Sequence, residues 1–253
     1  MSFAVGADAY NRFMGRYSGT LAPAFADFAS VVEGLRVLDV GCGPGALIDE
    51  IVTRVGSGTV AAVDPSATFV EAAQQRHPTI DVHQAAAERL PFEDSTFDAT
   101  LTQLVVHFMK DPILGLREMA RVTGQGGVVA ACVWDHDGGG GPLSLFWDVV
   151  RELDPGVEGE AQLAGAREGH LAELFGDAGL ASIADTCLSI TVTHPSFEDW
   201  WEPFTFGVGP AGSYVAALDV SSQIRLRDRC RDMLPSPPFT LKARAWAARG
   251  LVW

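Results

Sequence analysis

Three glycines follow a short apolar run in the first quarter of the chain. The run LRVLDV stands directly before Gly41, and Gly43 and Gly45 follow at alternate positions before a helical pattern begins. Because glycine has no Cβ, a ligand can approach the backbone closely, and the free N–H groups at a helix start point towards it. The spacing therefore predicts a loop that binds a small molecule.

Two carboxylates accompany this loop. Gly41, Gly43 and Ala46 satisfy the dinucleotide-binding pattern G-x-G-x-x-A, and Asp64 follows about twenty residues later, as that pattern requires. A hydride-transfer enzyme is therefore one interpretation. Asp39 favours another, because its carboxylate would face a pyrophosphate with like charge but suits a ligand that carries an amino group or a cation.

His107 is the candidate for proton transfer. It follows the fourth predicted strand, and an imidazole that titrates near neutrality can deprotonate a hydroxyl or a phenol. The alternative is that its ring caps the next turn or packs beside Phe108 and Met109. Four other histidines lack a carboxylate or cysteine at triad or ligand spacing, so we predict neither chemistry nor a metal site for them: His83, His136, His170 and His194.

Strand and helix patterns alternate over residues 35–135. One strand-like run ends at Asp64, and three more follow at IDVHQAA, FDATLTQLVV and GGVVAACVWD. Helical patterns separate most of these runs. Ser66 and Asp111 stand where they can cap two of these helices. Because right-handed crossovers cover both apolar faces of a sheet, the alternation predicts a doubly wound α/β fold with a mostly parallel sheet around a ligand-binding core.

The N-terminal residues 1–33 have apolar side chains at helical spacing. Gly15 and the pair Ser18-Gly19 interrupt the pattern, which predicts two helices with a break between them.

Two further strands are predicted near the C-terminus, at LASIADTCLSITVTH and FTLKARAWAARGLV, which brings the strand count to seven. Residues 196–235 lie between them as a helical insertion. We expect residues 1–253 to form a single domain.

The motifs LDVGCGPG, VDPS and AERLPFEDSTFDATLTQLVVHFMKDP resemble those of class I S-adenosylmethionine (SAM)-dependent methyltransferases, in particular the type 11 group that acts on small molecules. The resemblance is close from residue 35 to about residue 135 and loose over residues 138–235. The opening AYNRFMGRYSGTLAPAF is similar to an N-terminal lid found in a bacterial subgroup. ARAWAARG is similar to the last strand of that family, which implies a Rossmann-like sheet of seven strands with the last one antiparallel.

The resemblance implies SAM as the cofactor and S-adenosylhomocysteine as the product. Asp39 would support the loop, and Asp64 would accept both ribose hydroxyls, since an ionised carboxylate can take two donors at once. The alternative for Asp64 is an ordinary helix cap. The residues implied to lie along the methionine part of the cofactor are Gly41, Cys42, Gly43, Gly45 and Gln103.

The adenine end departs from the family pattern. Ala86 stands where the family usually has Asp, which moves the implied adenine contact to the Ala87 backbone and to Glu88. Glu88 has the alternative of being a solvated surface acid. Pro65, next to Asp64, belongs to the same predicted cofactor site.

Aromatic and basic residues outside the core complete the predicted cofactor and acceptor sites. Tyr10 and Arg16 lie in the lid segment, where Arg16 could pair with the cofactor carboxylate or remain a solvated helix charge. Trp134, Trp200 and Trp201 could wall an apolar acceptor pocket, or they could be core.

The charge composition indicates which classes of partner the protein is expected to bind. With 18 Lys and Arg against 32 Asp and Glu, the formal net charge is −14, which opposes binding to nucleic acid or to an anionic membrane surface. The four cysteines form no C-x-x-C pair, and no signal or membrane-spanning stretch is recognised, so we expect reduced thiols and a cytoplasmic protein. Oligomeric state is left open.

The sequence thus predicts a SAM-dependent methyltransferase that acts on an O, N or C atom of a small organic acceptor. A non-catalytic SAM-binding protein is the first alternative. An NAD-dependent oxidoreductase is the second, although the chain lacks a Tyr-x-x-x-Lys constellation.

Overall fold

The strand patterns form one sheet in the computed structural model, which describes residues 6–253. Seven strands lie in the order β3-β2-β1-β4-β5-β7-β6. Their bounds are β1 Val37–Val40, β2 Val60–Asp64, β3 Asp81–Gln84, β4 Phe97–Gln103, β5 Thr123–Trp134, β6 Ala181–His194 and β7 Phe239–Leu251. Strands β1 to β5 pair in parallel, whereas β7 runs antiparallel to both β5 and β6. The predicted doubly wound, mostly parallel sheet with an antiparallel last strand is confirmed.

Helices connect these strands and cover both faces of the sheet. The helices described are α1 Ala7–Tyr10, α2 Arg16–Phe28, α3 Ala46–Val55, α4 Ala67–Arg76, α5 Pro112–Val122, α6 Ser144–Leu153, α7 His170–Asp177, α8 Phe197–Trp201, α9 Gly209–Ala217 and α10 Val220–Met233. Side chains of Ser66 and Asp111 accept hydrogen bonds from the first turns of α4 and α5, as their positions predicted. Within residues 6–253, every helix is too short or too polar to cross a bilayer.

The two faces of the sheet have separate apolar cores. Every residue of β1 and β2 is buried, as expected for central parallel strands that are covered on both sides. The core of one face is formed with α2 and α3, and its largest buried side chains include Leu21, Phe25, Ile48 and Ile51. The core of the other face is formed with α5 and α7, and includes Leu116, Met119, Leu171 and Phe175.

The N-terminal helices differ from the sequence prediction. The expected break at Ser18-Gly19 is wrong, because both residues lie inside α2, while Asn11–Gly15 forms a π-helical turn that joins α1 to α2 without a gap. The apolar face of α2 is buried against the sheet, and this packing outweighs the low helix propensity of serine and glycine. The Ser18 hydroxyl donates a hydrogen bond to the carbonyl oxygen of Met14, four residues earlier in the same helical stretch. Residues 1–5 of the predicted lid lie outside the described residues.

A third apolar cluster lies beside the sheet. Between β6 and β7 the chain forms α8, a short helical stretch over Glu202–Phe206, α9 and α10. Their aromatic side chains pack with those of α6 and with Phe13 from the N-terminal π-helical turn. The Phe146 and Phe204 rings stack with their centroids 4.5 Å apart. The segment 196–235 therefore contacts the N-terminal helices as well as the strands that flank it.

Candidate functional site

The glycine loop leaves β1 in a conformation that favours glycine at each alternate position. Gly41, Gly43 and Gly45 have φ angles of 76°, 53° and 97°, all in the left-handed region. A Cβ on Gly41 would lie 2.5 Å from Cγ2 of Val105, so a side chain cannot be added there without moving β4's exit loop. The loop backbone is therefore held close to the end of β4.

Asp64 ties this loop to the next helix. Its Oδ2 accepts a hydrogen bond from the Gly43 N–H at 2.9 Å, and its Oδ1 accepts one from the Ser66 N–H at 2.8 Å. Burial raises the pKa of Asp64, and these two hydrogen bonds oppose that rise. Each oxygen keeps lone-pair capacity for a further donor, because a carboxylate oxygen can accept more than one hydrogen bond. The predicted ribose contact stays a prediction.

Asp39 is a buried carboxyl with no partner. It is 1% exposed, and neither of its oxygens has a hydrogen bond within residues 6–253. Burial raises its pKa to about 8, and the nearby charge of Asp64 adds to that rise. A buried carboxyl without a partner lowers the stability of the folded protein unless a hydrogen-bond donor or a cation pairs with it. The ammonium group of an amino-acid moiety fits that requirement.

Tyr10 covers the loop from the N-terminal side. Its Cε1 lies 4.0 Å from the position that a Cβ on Gly43 would take, and its ring meets Phe69 edge-on with centroids 5.3 Å apart. Burial raises the pKa of Tyr10 to about 12, with further contributions from Asp64 and Asp39. The hydroxyl is therefore protonated and lies within the electrostatic reach of both carboxyls.

Two more predicted residues border the loop. Gln103, at the end of β4, donates from Nε2 to the Ser18 carbonyl at 3.1 Å, and its Oε1 is buried without a partner among the described residues. Cys42 is buried, and its Sγ lies 3.5 Å from the Gly43 carbonyl oxygen. Because burial raises the pKa of Cys42 well above its usual value, the thiol is not a nucleophile at neutral pH.

Arg16 points away from the loop. Its NH1 and NH2 donate to the two carboxylate oxygens of Asp199, at 2.5 and 3.1 Å, and NH1 also lies 3.1 Å from Nδ1 of His194. The guanidinium is therefore engaged by α8 and the end of β6. This corrects the alternative of a solvated helix charge, because the partly buried cation pairs with Asp199. The contact with the cofactor carboxylate stays a prediction.

The predicted adenine end lies in loops around α5. Glu88 Oε1 accepts from the backbone N–H groups of Lys110 and Asp111, so its carboxylate holds the turn before α5. This corrects the alternative of a merely solvated acid. Ala87 is 7% exposed, and Pro65 is exposed after β2.

A pocket opens between the end of β4 and the third apolar cluster. The residues that line it are Tyr10, Phe13, Met14, Leu104, His107, Phe108, Trp134, His136, Leu143, Glu160, Val208, Gly209, Pro210 and Ala211. Tyr10 thus belongs both to this pocket and to the cover of the glycine loop. Trp200 and Trp201 do not line this pocket but pack within the third cluster, which agrees with the alternative that they are core and not with their predicted role as pocket walls.

His107 lies in the pocket with an unpaired nitrogen. Its Nδ1 is buried and has no hydrogen-bond partner within the described chain, while the ring packs against Phe108 at a tilt of 47° with centroids 3.9 Å apart. Burial lowers the pKa of His107 well below its usual value, and His136 lowers it further. The ring is therefore neutral at physiological pH. Leu104, just before it, has a φ of 64°, a strained value for a side-chain-bearing residue.

Two polar residues of the pocket were missed by sequence reasoning. His136 lies with its ring centroid 5.9 Å from that of His107, and Glu160 is 4% exposed. The Glu160 Oε2 accepts a hydrogen bond from the Trp147 indole N–H at 2.8 Å. His136 follows β5, whereas Glu160 lies in the turns between α6 and α7, so no fixed spacing joins them in the sequence. Only the fold brings them together.

The sheet order, the antiparallel β7 and the glycine loop at the carboxyl end of β1 define a Rossmann-like α/β protein. Residues 38–131 match the type 11 family model described as "Methyltransferase domain". Over these residues the chain matches a methyltransferase domain, which agrees with the class I SAM-dependent methyltransferase family that its motifs resemble.

Three similar proteins illustrate the extent of the likeness. A malonyl-(acyl-carrier protein) O-methyltransferase of Erwinia billingiae is 36% identical over 129 residues, which is 51% of this chain and 50% of that protein. The YcgJ protein of Bacillus subtilis has a TM-score of 0.59 at 20% identity, over 93% of this chain and 97% of its own. A Haemonchus contortus N-methyltransferase, solved with phosphomonomethylethanolamine and S-adenosylhomocysteine, has a TM-score of 0.59 at 17% identity, over 98% of this chain and 57% of its own.

The structural likenesses show the fold alone. The chain spans about half or less of the length of the curated relatives it matches.

Proposed function

We propose that the protein is an enzyme that transfers a methyl group from SAM to an O, N or C atom of a small organic acceptor. The observation that carries this proposal is the buried carboxyl of Asp39 beneath the glycine loop, which has no hydrogen-bond partner among the described residues. The ammonium group of a methionine moiety would favour the ionised form of this carboxyl and form an ion pair with it, whereas a phosphate would oppose its ionisation.

The residues around Asp39 suit the remaining parts of that cofactor. Gly41, Gly43 and the backbone of Cys42 would lie along the methionine part, and Asp64 would accept the ribose hydroxyls at the end of β2. Ala87 and Pro65 would lie towards the adenine. Tyr10 would cover the bound molecule, because its ring already lies over the loop.

When bound, SAM supplies an electrophilic methyl group on a sulfonium. The chain's own part is then to align the acceptor, to exclude water and to hold the acceptor's proton. The pocket beside Tyr10 suits these tasks, because it is mostly apolar and has His107 and His136 on its wall. A neutral imidazole keeps one nitrogen lone pair, so His107 can accept a hydrogen bond from an acceptor hydroxyl or amine.

Calorimetric titration with S-adenosylhomocysteine and, separately, with NAD(H) tests the cofactor. We expect micromolar binding of S-adenosylhomocysteine and no response to NAD(H). The reverse pattern would overturn the proposal and favour an oxidoreductase. S-adenosylhomocysteine binding without consumption of SAM over a broad panel of small acceptors would instead favour a non-catalytic SAM-binding protein.

A further inference from the structure

One wall of the pocket carries a buried carboxyl, that of Glu160, which makes no described contact with the glycine loop. Glu160 is 4% exposed, and its Oε2 is oriented by the Trp147 indole N–H. Within residues 6–253, the hydrogen bond from Trp147 to Oε2 is the one described for this side chain. A buried carboxyl with one oxygen fixed in this way keeps the capacity to accept from a bound molecule.

Glu160 is the one carboxyl among the described residues that line the pocket. The titratable residues that line the pocket are Tyr10, His107, His136 and Glu160, and none of its described lining residues is a lysine or an arginine. Burial keeps both histidines neutral, since it lowers the pKa of His136 to about 4 and that of His107 also falls. An anionic ligand would therefore meet Glu160 without a compensating cation, which is unfavourable in a dry site.

The rest of the lining suits a cation attached to an apolar body. Tyr10, Phe13, Phe108 and Trp134 supply aromatic rings, whose faces attract ammonium groups and whose edges pack against hydrocarbon. A carboxylate next to several aromatic rings is an arrangement that selects amines over acids.

We infer that the pocket binds an apolar amine, whose protonated nitrogen pairs with the Glu160 carboxylate and whose aryl or alkyl part packs on Phe13, Phe108 and Trp134. We also infer that this amine is the methyl acceptor, and that part of the inference rests on the proposed function. Glu160 is then the residue that determines specificity, and Trp147 is a positioning residue that holds its carboxylate. Burial raises the pKa of Glu160 to about 7, so the group is largely ionised slightly above neutral pH.

Three ligands of similar shape and different charge test the inference. Phenethylamine, phenethyl alcohol and hydrocinnamate share an aryl-alkyl body and differ in charge. We expect calorimetry at about pH 8 to show the amine binding at least tenfold more tightly than the alcohol, and the acid binding most weakly. The titrations are run on the full chain with and without S-adenosylhomocysteine.

A matched pair of variants assigns the effect to one carboxylate. Glu160→Gln keeps an oxygen that can accept from Trp147 but removes the charge, so it should weaken amine binding at least tenfold and change alcohol binding less than about threefold. Glu158→Gln, at an exposed neighbour, should change neither. Thermal unfolding of both variants checks that the fold is retained.

The outcomes separate the two proposals. Equal binding of amine and alcohol, an unchanged amine affinity in Glu160→Gln, or no binding by a panel of aryl-alkyl amines would overturn the amine inference. If the amine binds through Glu160 while S-adenosylhomocysteine does not bind, the pocket inference stands and the proposed function fails.

Discussion

Arg16 and Asp199 join the N-terminal helix to α8 by two hydrogen bonds, although they lie 183 residues apart in the chain. His194 extends this contact, because its Nδ1 lies 2.9 Å from Asp199 Oδ2 and its Nε2 lies 3.0 Å from the Tyr17 hydroxyl. The N-terminal helical stretch, which carries Tyr10 in α1 and Phe13 in the π-helical turn, is thus connected to the segment that encloses the other side of the pocket. The packing of Phe13 against Phe204 joins the same two segments.

Removal of the Arg16 side chain should affect stability more than cofactor binding. Arg16→Ala leaves a partly buried carboxylate without its partner, so we expect the free energy of unfolding to fall by about 1–2 kcal/mol. Affinity for S-adenosylhomocysteine should change less than about threefold. Denaturant unfolding and calorimetry measure the two quantities.

Arg12→Ala is the control for this variant. Its ion pair with Glu202 is more than half exposed on both sides, so its loss should have little effect on stability. A large loss of S-adenosylhomocysteine affinity in Arg16→Ala at unchanged stability would contradict the structural role and return Arg16 to the cofactor site.

Asp64→Ala should weaken S-adenosylhomocysteine binding by roughly 1–3 kcal/mol, because the ribose hydroxyls lose a charged acceptor. Asp64 also accepts from Gly43 and Ser66, so some loss of stability is expected as well. Asp64→Asn separates the two effects, since it keeps one acceptor oxygen for the backbone. Asp185→Asn, at an exposed position on β6, is the matched control, and an unchanged affinity in Asp64→Ala would reject the ribose role.

Asp39→Asn should stabilise the protein and weaken cofactor binding. The pKa of Asp39 is raised from 3.8 to about 8, so between these values the carboxyl is protonated in the folded chain and ionised in the unfolded chain. Unfolding releases that proton, and stability therefore falls as pH rises across this window. The variant removes this penalty, and we expect a gain of roughly 1–3 kcal/mol at pH 7.

The same substitution removes the charge that would pair with an ammonium group. We expect at least a tenfold loss of S-adenosylhomocysteine affinity by calorimetry. A variant that loses stability and keeps its affinity would show that Asp39 supports the loop without contacting the ligand.

His107→Ala should lower turnover with little change in affinity for S-adenosylhomocysteine, if the ring accepts a hydrogen bond from the acceptor. Because burial keeps the pKa of His107 far below its usual value, the wild-type rate should show no inflection near pH 6.5 from this residue. Steady-state rates are measured with an acceptor found by screening. His83→Ala, in a more exposed ring on β3, is the control, and equal turnover in the His107 variant would end its candidacy.

The predicted glycine loop and its carboxylates could be found from the sequence because local rules place them. Strand β1 is followed by Gly41, Gly43 and Gly45, and the left-handed φ angles observed at these positions are those that glycine tolerates best. Asp64 ends β2, the strand paired with β1, so the parallel arrangement brings it to the same edge. Alternation of strand and helix also predicted the sheet.

The N-terminal helix shows where local rules failed. Ser18 and Gly19 are weak helix formers, yet they lie within α2 because Tyr17, Leu21 and Phe25 bury its apolar face. Propensity gives way to tertiary packing there.

The sequence by itself determined the strand and helix pattern, the glycine loop and the helix caps of residues 38–131, because these features follow from residue types at close spacing in the chain. The tertiary structure decided the rest: the Arg16–Asp199 pair, the burial of Trp200 and Trp201 in the third cluster, and the presence of Glu160 and His107 in one pocket. These contacts join residues far apart in sequence with no fixed spacing. They depend on how apolar faces pack and on which buried charges find partners, and those choices are made only when the whole chain is folded.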